Sequence, residues 1–126
     1  MGRLRLGLIL VALILVSGLF LENRMEKVFH PRAEELEEAA YWVGQENWGK
    51  AEALLKEARA GWAEKRNLAA ALVHHGILDD IDIRFAELEA AARNRERMAF
   101  QSGCAGLALQ LRNLSKVHSF AWWNLL

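Results

Sequence analysis

The chain has 126 residues with 16 basic and 16 acidic side chains, a balance that excludes a general nucleic-acid binder, which needs a basic surplus to displace counterions. Hydrophobic residues make up 53% of it, too many for disorder. One proline in a Leu- and Ala-rich chain disfavours an all-β fold, and one cysteine excludes both an internal disulfide framework and a cysteine-based zinc cluster.

The first predicted element is apolar. Arg3 and Arg5 precede Leu6–Leu21 (LGLILVALILVSGLFL), which carries no charge. At helical rise these residues span about 24 Å, a little short of a hydrocarbon core of about 30 Å. Leu4 joins the span if Arg5 snorkels. The stretch is apolar on every face, unlike a surface helix of a soluble core. Residues 1–21 therefore read as a transmembrane anchor, with lipid along 6–21. The competing reading is a signal peptide cleaved after Gly18, with Val16 and Gly18 at tolerated offsets. Both arginines lie ahead of the span, whereas Glu22, Asn23, Arg24, Glu26 and Lys27 follow it with mixed sign. The positive-inside rule then places residues 22–126 outside the cytoplasmic membrane. That portion has a net charge of −2 and no electrostatic pull toward anionic lipid.

Residues 22–126 contain no Ser/Gly/Pro-rich linker and read as one helical unit. Pro31 fits the first turn of a helix, with Glu34, Glu35, Glu37 and Glu38 near its positive end. Leu36, Ala39, Ala40 and Val43 give that helix its apolar face. Gly44 then suits a left-handed stop, and Asn47 a cap. A long amphipathic helix over about 48–74 carries Trp48, Ala51, Leu55, Ala58, Trp62, Ala69 and Leu72 at spacings of three and four, interrupted at Lys65. His74-His75-Gly76 is expected to end it.

A third helix is predicted from Asp79-Asp80 to Arg93-Asn94-Arg95, with Leu78, Ile81, Phe85, Leu88 and Ala92 on one face. A fourth, from about Glu96 to Lys116, aligns Phe100, Cys104, Leu107, Leu111 and Leu114. The fold expected is all-α: a transmembrane helix, then a four-helix unit of two αα-hairpins. Residues 39–58 resemble one tetratricopeptide-type hairpin, and the second hairpin echoes it, matching Leu36 to Leu88 and Trp48 to Phe100. One and a half repeats do not make a solenoid, so the likeness is one of hairpin packing.

Little here carries chemistry. His75, Asp79 and Asp82 are a candidate metal set, since imidazole and carboxylate suit zinc, manganese or iron. Helix-end pairing explains the same residues more simply: histidines answer a negative helix end and aspartates cap the next helix. Cys104 on an apolar stripe reads as an inert buried thiol, and Ser102-Gly103 lacks the context of a nucleophile elbow. No catalytic residue, cofactor or phosphate loop is expected. Trp42, Trp48 and Trp62 read as packing residues. Phe120, Trp122 and Trp123 in the aromatic tail are candidates for folding back on the bundle, for membrane-interface contact, or for a partner contact.

The apolar leader, the Trp48 to Trp62 helix, HHGILDDIDIRFAEL at 74–88 and the closing Asn124-Leu125-Leu126 resemble the domain of unknown function 4363 family, small membrane-anchored bacterial helical proteins. The likeness runs through His75, Asp79, Ile81, Ile83 and Leu88. Members of that family usually carry an acid two residues after the elbow histidine, where this chain has Ile77. The resemblance implies a membrane-protein partner of the small multi-pass YetF-like group. The expected role is a structural or protein-interaction module, with a metal-binding sensor or enzyme at the His75/Asp79 elbow and a secreted helical domain as alternatives.

Overall fold

The computed structural model describes the backbone of residues 2–71 and 73–125, and the side chains of residues 2–20, 27–71 and 73–114. Four helices make up the described chain: α1 (Gly2–Gly44), α2 (Trp48–Ala70), α3 (His75–Arg93) and α4 (Arg97–Leu125). The connections are short, so consecutive helices run antiparallel. Each of α1 and α3 packs on both α2 and α4, while the diagonal helices approach no closer than side-chain contact, as where Trp48 meets Phe100. The α1–α4 face is the most extensive, and it closes the two hairpins into an up-down-up-down bundle instead of leaving an edge for further repeats.

The apolar stripes meet in one core. It takes Phe29, Ala33, Leu36, Ala39 and Val43 from α1, and Ala51, Leu55, Ala58, Trp62 and Ala69 from α2. From α3 come Leu78, Ile81, Phe85, Leu88 and Ala92, and from α4 Phe100, Cys104, Leu107, Leu111 and Leu114. All four predicted faces are thus buried, because spacings of three and four residues keep one side of a helix turned inward. Trp48 is half-buried and meets Phe100 edge-on at 5.5 Å. Leu72 lies outside the described residues.

The two hairpin turns are copies of each other. Glu46 (φ 61°) and Arg95 (φ 54°) hold the left-handed position. In the first turn Glu46 N donates to Val43 O at 3.0 Å and Asn47 N to Trp42 O at 2.8 Å. In the second Arg95 N donates to Ala92 O at 3.2 Å and Glu96 N to Ala91 O at 2.9 Å. The same offset carries Phe29, Leu36, Ala39 and Val43 onto Leu78, Phe85, Leu88 and Ala92. It also carries Ala51, Leu55, Ala58 and Trp62 onto Phe100, Cys104, Leu107 and Leu111, all of them buried. The sequence match of Leu36 to Leu88 and Trp48 to Phe100 is therefore three residues out of register. The turn sets the alignment, and side-chain size does not. The left-handed residue is Glu46 and not Gly44. Asn47 does cap α2, accepting from Lys50 N at 3.2 Å.

Two boundaries also differ from expectation. Pro31 lies inside α1, not at a helix start. It removes one backbone donor, but the turns on either side of it are pinned to the bundle through Phe29 and Leu36. The acidic run therefore sits in mid-helix, where three of its members pair with side chains instead of meeting a helix dipole: Glu34 with His30, Glu35 with Arg32 and Glu37 with Arg112. At the elbow, α2 stops at Ala70, and His74 opens α3 as its N-cap, its Nδ1 accepting from Gly76 N at 3.1 Å. Asp79 and Asp80 thus fall inside α3 and cap nothing. α4 runs past the predicted Lys116 to Leu125.

Candidate functional site

The elbow residues come together as a clasp between helices. Trp62 and Arg66 stand one turn apart on α2, Asp79 and Asp82 one turn apart on α3. Trp62 Nε1 donates to Asp82 Oδ1 at 2.7 Å and Arg66 Nε to Asp82 Oδ2 at 2.8 Å. Arg66 Nη2 donates to Asp79 Oδ1 at 3.0 Å. Asp80 turns the other way, accepting from Arg84 Nε at 3.0 Å and from Gln110 Nε2 of α4 at 2.9 Å. Hydrogen bonds from Gln110 and Arg84 hold its carboxyl below the usual carboxylate range.

The proposed metal set is thus divided. Asp79 and Asp82 face one guanidinium, and an ion placed between them would have to displace Arg66. His75 is exposed at the first position of α3. Among the described residues, no three His, Cys, Asp or Glu side chains converge as a metal set would. Cys104 is fully buried, and burial pushes its thiol up to about 12, so it stays protonated near neutrality. Phe120, Trp122 and Trp123 lie outside the residues whose side chains are described.

A second feature escaped the sequence. A shallow groove of about 600 Å³ runs along α1 and α2, lined by Trp42, Leu54, Lys50, Glu38 and Glu57. Lys50 Nζ sits 4.0 Å from the Trp42 ring centroid, and Tyr41 meets that ring edge-on. Also between α1 and α2, Arg32 lies across Gly61, where a Cβ would come within 1.7 Å of Nη1. Glycine at 61 gives the guanidinium room to reach Glu35 at 2.6 Å. Arg32 Nε and Glu35 Oε2 are buried without a hydrogen-bond partner. A glycine inside a helical stripe, with an Arg-x-x-Glu pair on the facing helix, was the available signal.

Burial raises the Glu35 pKa from its ordinary 4.5; Arg32 opposes the rise, and Glu57 and Glu38 add to it. Between 4.5 and the raised value, the folded chain holds a proton that the unfolded chain has released. Stability contributed here falls as pH rises through that window. Urea midpoints measured from about pH 4 to about pH 7 should show this fall, and Glu35→Gln should reduce it. Superimposable pH profiles for the two proteins would remove Glu35 as the source.

The fold thus defines a class: an all-helical bundle led by one helix long and apolar enough to cross a membrane, Gly2–Phe20, none of it buried. The family described as Domain of unknown function (DUF4363) matches residues 19–125, which include both hairpins and the elbow, and the chain belongs to that family. Neither the curated proteins nor the solved structures include a match to this chain.

Proposed function

We propose that the chain is a single-pass membrane protein that holds its four-helix bundle outside the cytoplasmic membrane and binds a second membrane protein there. The supporting observation is the bare first half of α1. Every large apolar side chain from Leu4 to Phe20 is exposed, from 40% at Ile14 to 74% at Leu4. Each such group gains about 1.5–3 kcal/mol on leaving water, so the segment as a whole strongly favours lipid. Two arginines ahead of it and mixed charge behind it set the direction of the bundle. The partner reading draws on the family resemblance, which points to the YetF-like group, and on the exposed Trp42 groove.

Glu87→Cys tests the direction, because Glu87 is exposed and the native Cys104 is buried. A membrane-impermeant maleimide should label this variant in intact spheroplasts. Labelling only after lysis would reverse the orientation. Crosslinking in native membranes should then capture a membrane protein, and recovery of monomer alone, beside a control complex that is caught, would end the partner reading. One observation favours the secreted alternative: the family match begins at residue 19, directly after the cleavage position at Gly18. A mature mass lacking the first 18 residues would establish it.

A further inference from the structure

The bundle and the apolar segment share one helix, so the fold itself fixes which part of the bundle faces the bilayer. Three contacts set the register of α1 against α2: Lys50 over Trp42, Gly61 against Arg32, and Trp62 against Phe29 with ring centroids 5.7 Å apart. From Trp62 onward to Ala70, and from Phe29 back to Leu21, both helices advance by about 12 Å in the same direction. The end of α2 is therefore level with Leu21, the last residue of the uncharged run. The uncharged run Leu6–Leu21, extended to Leu4 with Arg5 snorkelling, reaches about 27 Å, close to the roughly 30 Å of a hydrocarbon core. The level reached by the α2–α3 elbow is thus the level at which hydrocarbon gives way to headgroups, a layer about 5–7 Å deep on each side.

We infer that this elbow rests in the phospholipid headgroup layer and that the bilayer surface is its partner, an inference that builds on the membrane-anchor reading. The residues there suit that layer. Leu68 is 38% exposed and Val73 half-buried, supplying apolar surface at the acyl boundary. His74 and His75 are exposed beside them. Because His74 Nδ1 accepts from Gly76 N, neutral His74 carries its proton on Nε2, a donor for phosphate or glycerol oxygens. Residues 22–126 carry a net charge of −2, so attraction to anionic lipid does not bring the elbow down. The continuous α1 does so by geometry, and the contact forms equally on zwitterionic lipid. The opposite turns, at Glu46 and Arg95, are held away by the 23-residue length of α2, about 35 Å.

The test uses the full chain in phosphatidylcholine vesicles, with a fluorophore on Ala71→Cys at the elbow or on Gln45→Cys at the far turn. Both positions are exposed, and the native Cys104 is buried. Lipids carrying a headgroup nitroxide should quench the Ala71 label several-fold more than the Gln45 label. Equal, weak quenching at both positions, with the protein still sedimenting with the vesicles, would overturn the elbow contact and leave the anchor standing. Failure to sediment with the vesicles would instead overturn the anchor reading, and the elbow contact with it.

Discussion

Replacing Trp62 with alanine should lower the unfolding free energy by about 3–5 kcal/mol, the range for a large aromatic truncated in a packed core. A small domain has only about 5–15 kcal/mol in total, so the variant should sit close to its folding threshold. Trp62 merits the upper end because it joins three helices. Its ring, 2% exposed on α2, lies against Phe29 of α1, and its Nε1 donates to Asp82 of α3. The alanine would leave a cavity between α1 and α2 and remove one of the two donors holding Asp82. Trp62→Phe separates these effects. It keeps a six-membered ring for packing but loses the donor and part of the buried indole volume, while Arg66 still holds the other carboxylate oxygen, so a loss of about 1–3 kcal/mol, smaller than that of the alanine, is expected. Urea unfolding of both variants decides. A loss below about 1 kcal/mol for the alanine would show that α1 and α2 are held elsewhere.

That junction shows what a linear chain reveals and what it hides. Trp62, Phe85 and Phe100 were readable as buried because helical periodicity is a local property, and the bundle respects it at all four faces. The elbow was misread because its signals conflict. Gly76 looks like a helix stop and Asp79 like a cap, whereas the structure caps α3 with the imidazole of His74, a weaker cap by propensity than Asp or Asn. Pro31 was misread for a related reason. A helix already fixed by Phe29 and Leu36 tolerates one lost backbone bond, and propensity does not record such tertiary support. The clasp of Trp62, Arg66, Asp79 and Asp82 was invisible as such, since its pairs lie 13 to 20 residues apart across a turn. Taken alone, the carboxylates suggested a metal; Arg66, on the preceding helix, gives them a different partner. The groove beside Trp42 and the fit of Arg32 over Gly61 depend on how α1 and α2 face each other, which no spacing specifies.

Deleting residues 2–20 should transfer the protein from the membrane pellet to the supernatant and leave the bundle folded. Among the described side chains the first in the core is Phe29, and none of Gly2–Phe20 is buried, so the deletion removes apolar surface without opening a cavity. Changes away from the core usually stay within about 0.5 kcal/mol, which for a domain of this size moves Tm by no more than about 2–4 °C. The partition should change far more, because the deleted segment holds every large apolar side chain of the exposed run. Sedimentation and thermal unfolding of the same shortened protein read the two effects separately. A collapse in Tm would mean that the segment belongs to the bundle, and the anchor reading would lose its basis. A shortened chain that stays in the pellet while folded would move membrane attachment to the bundle itself.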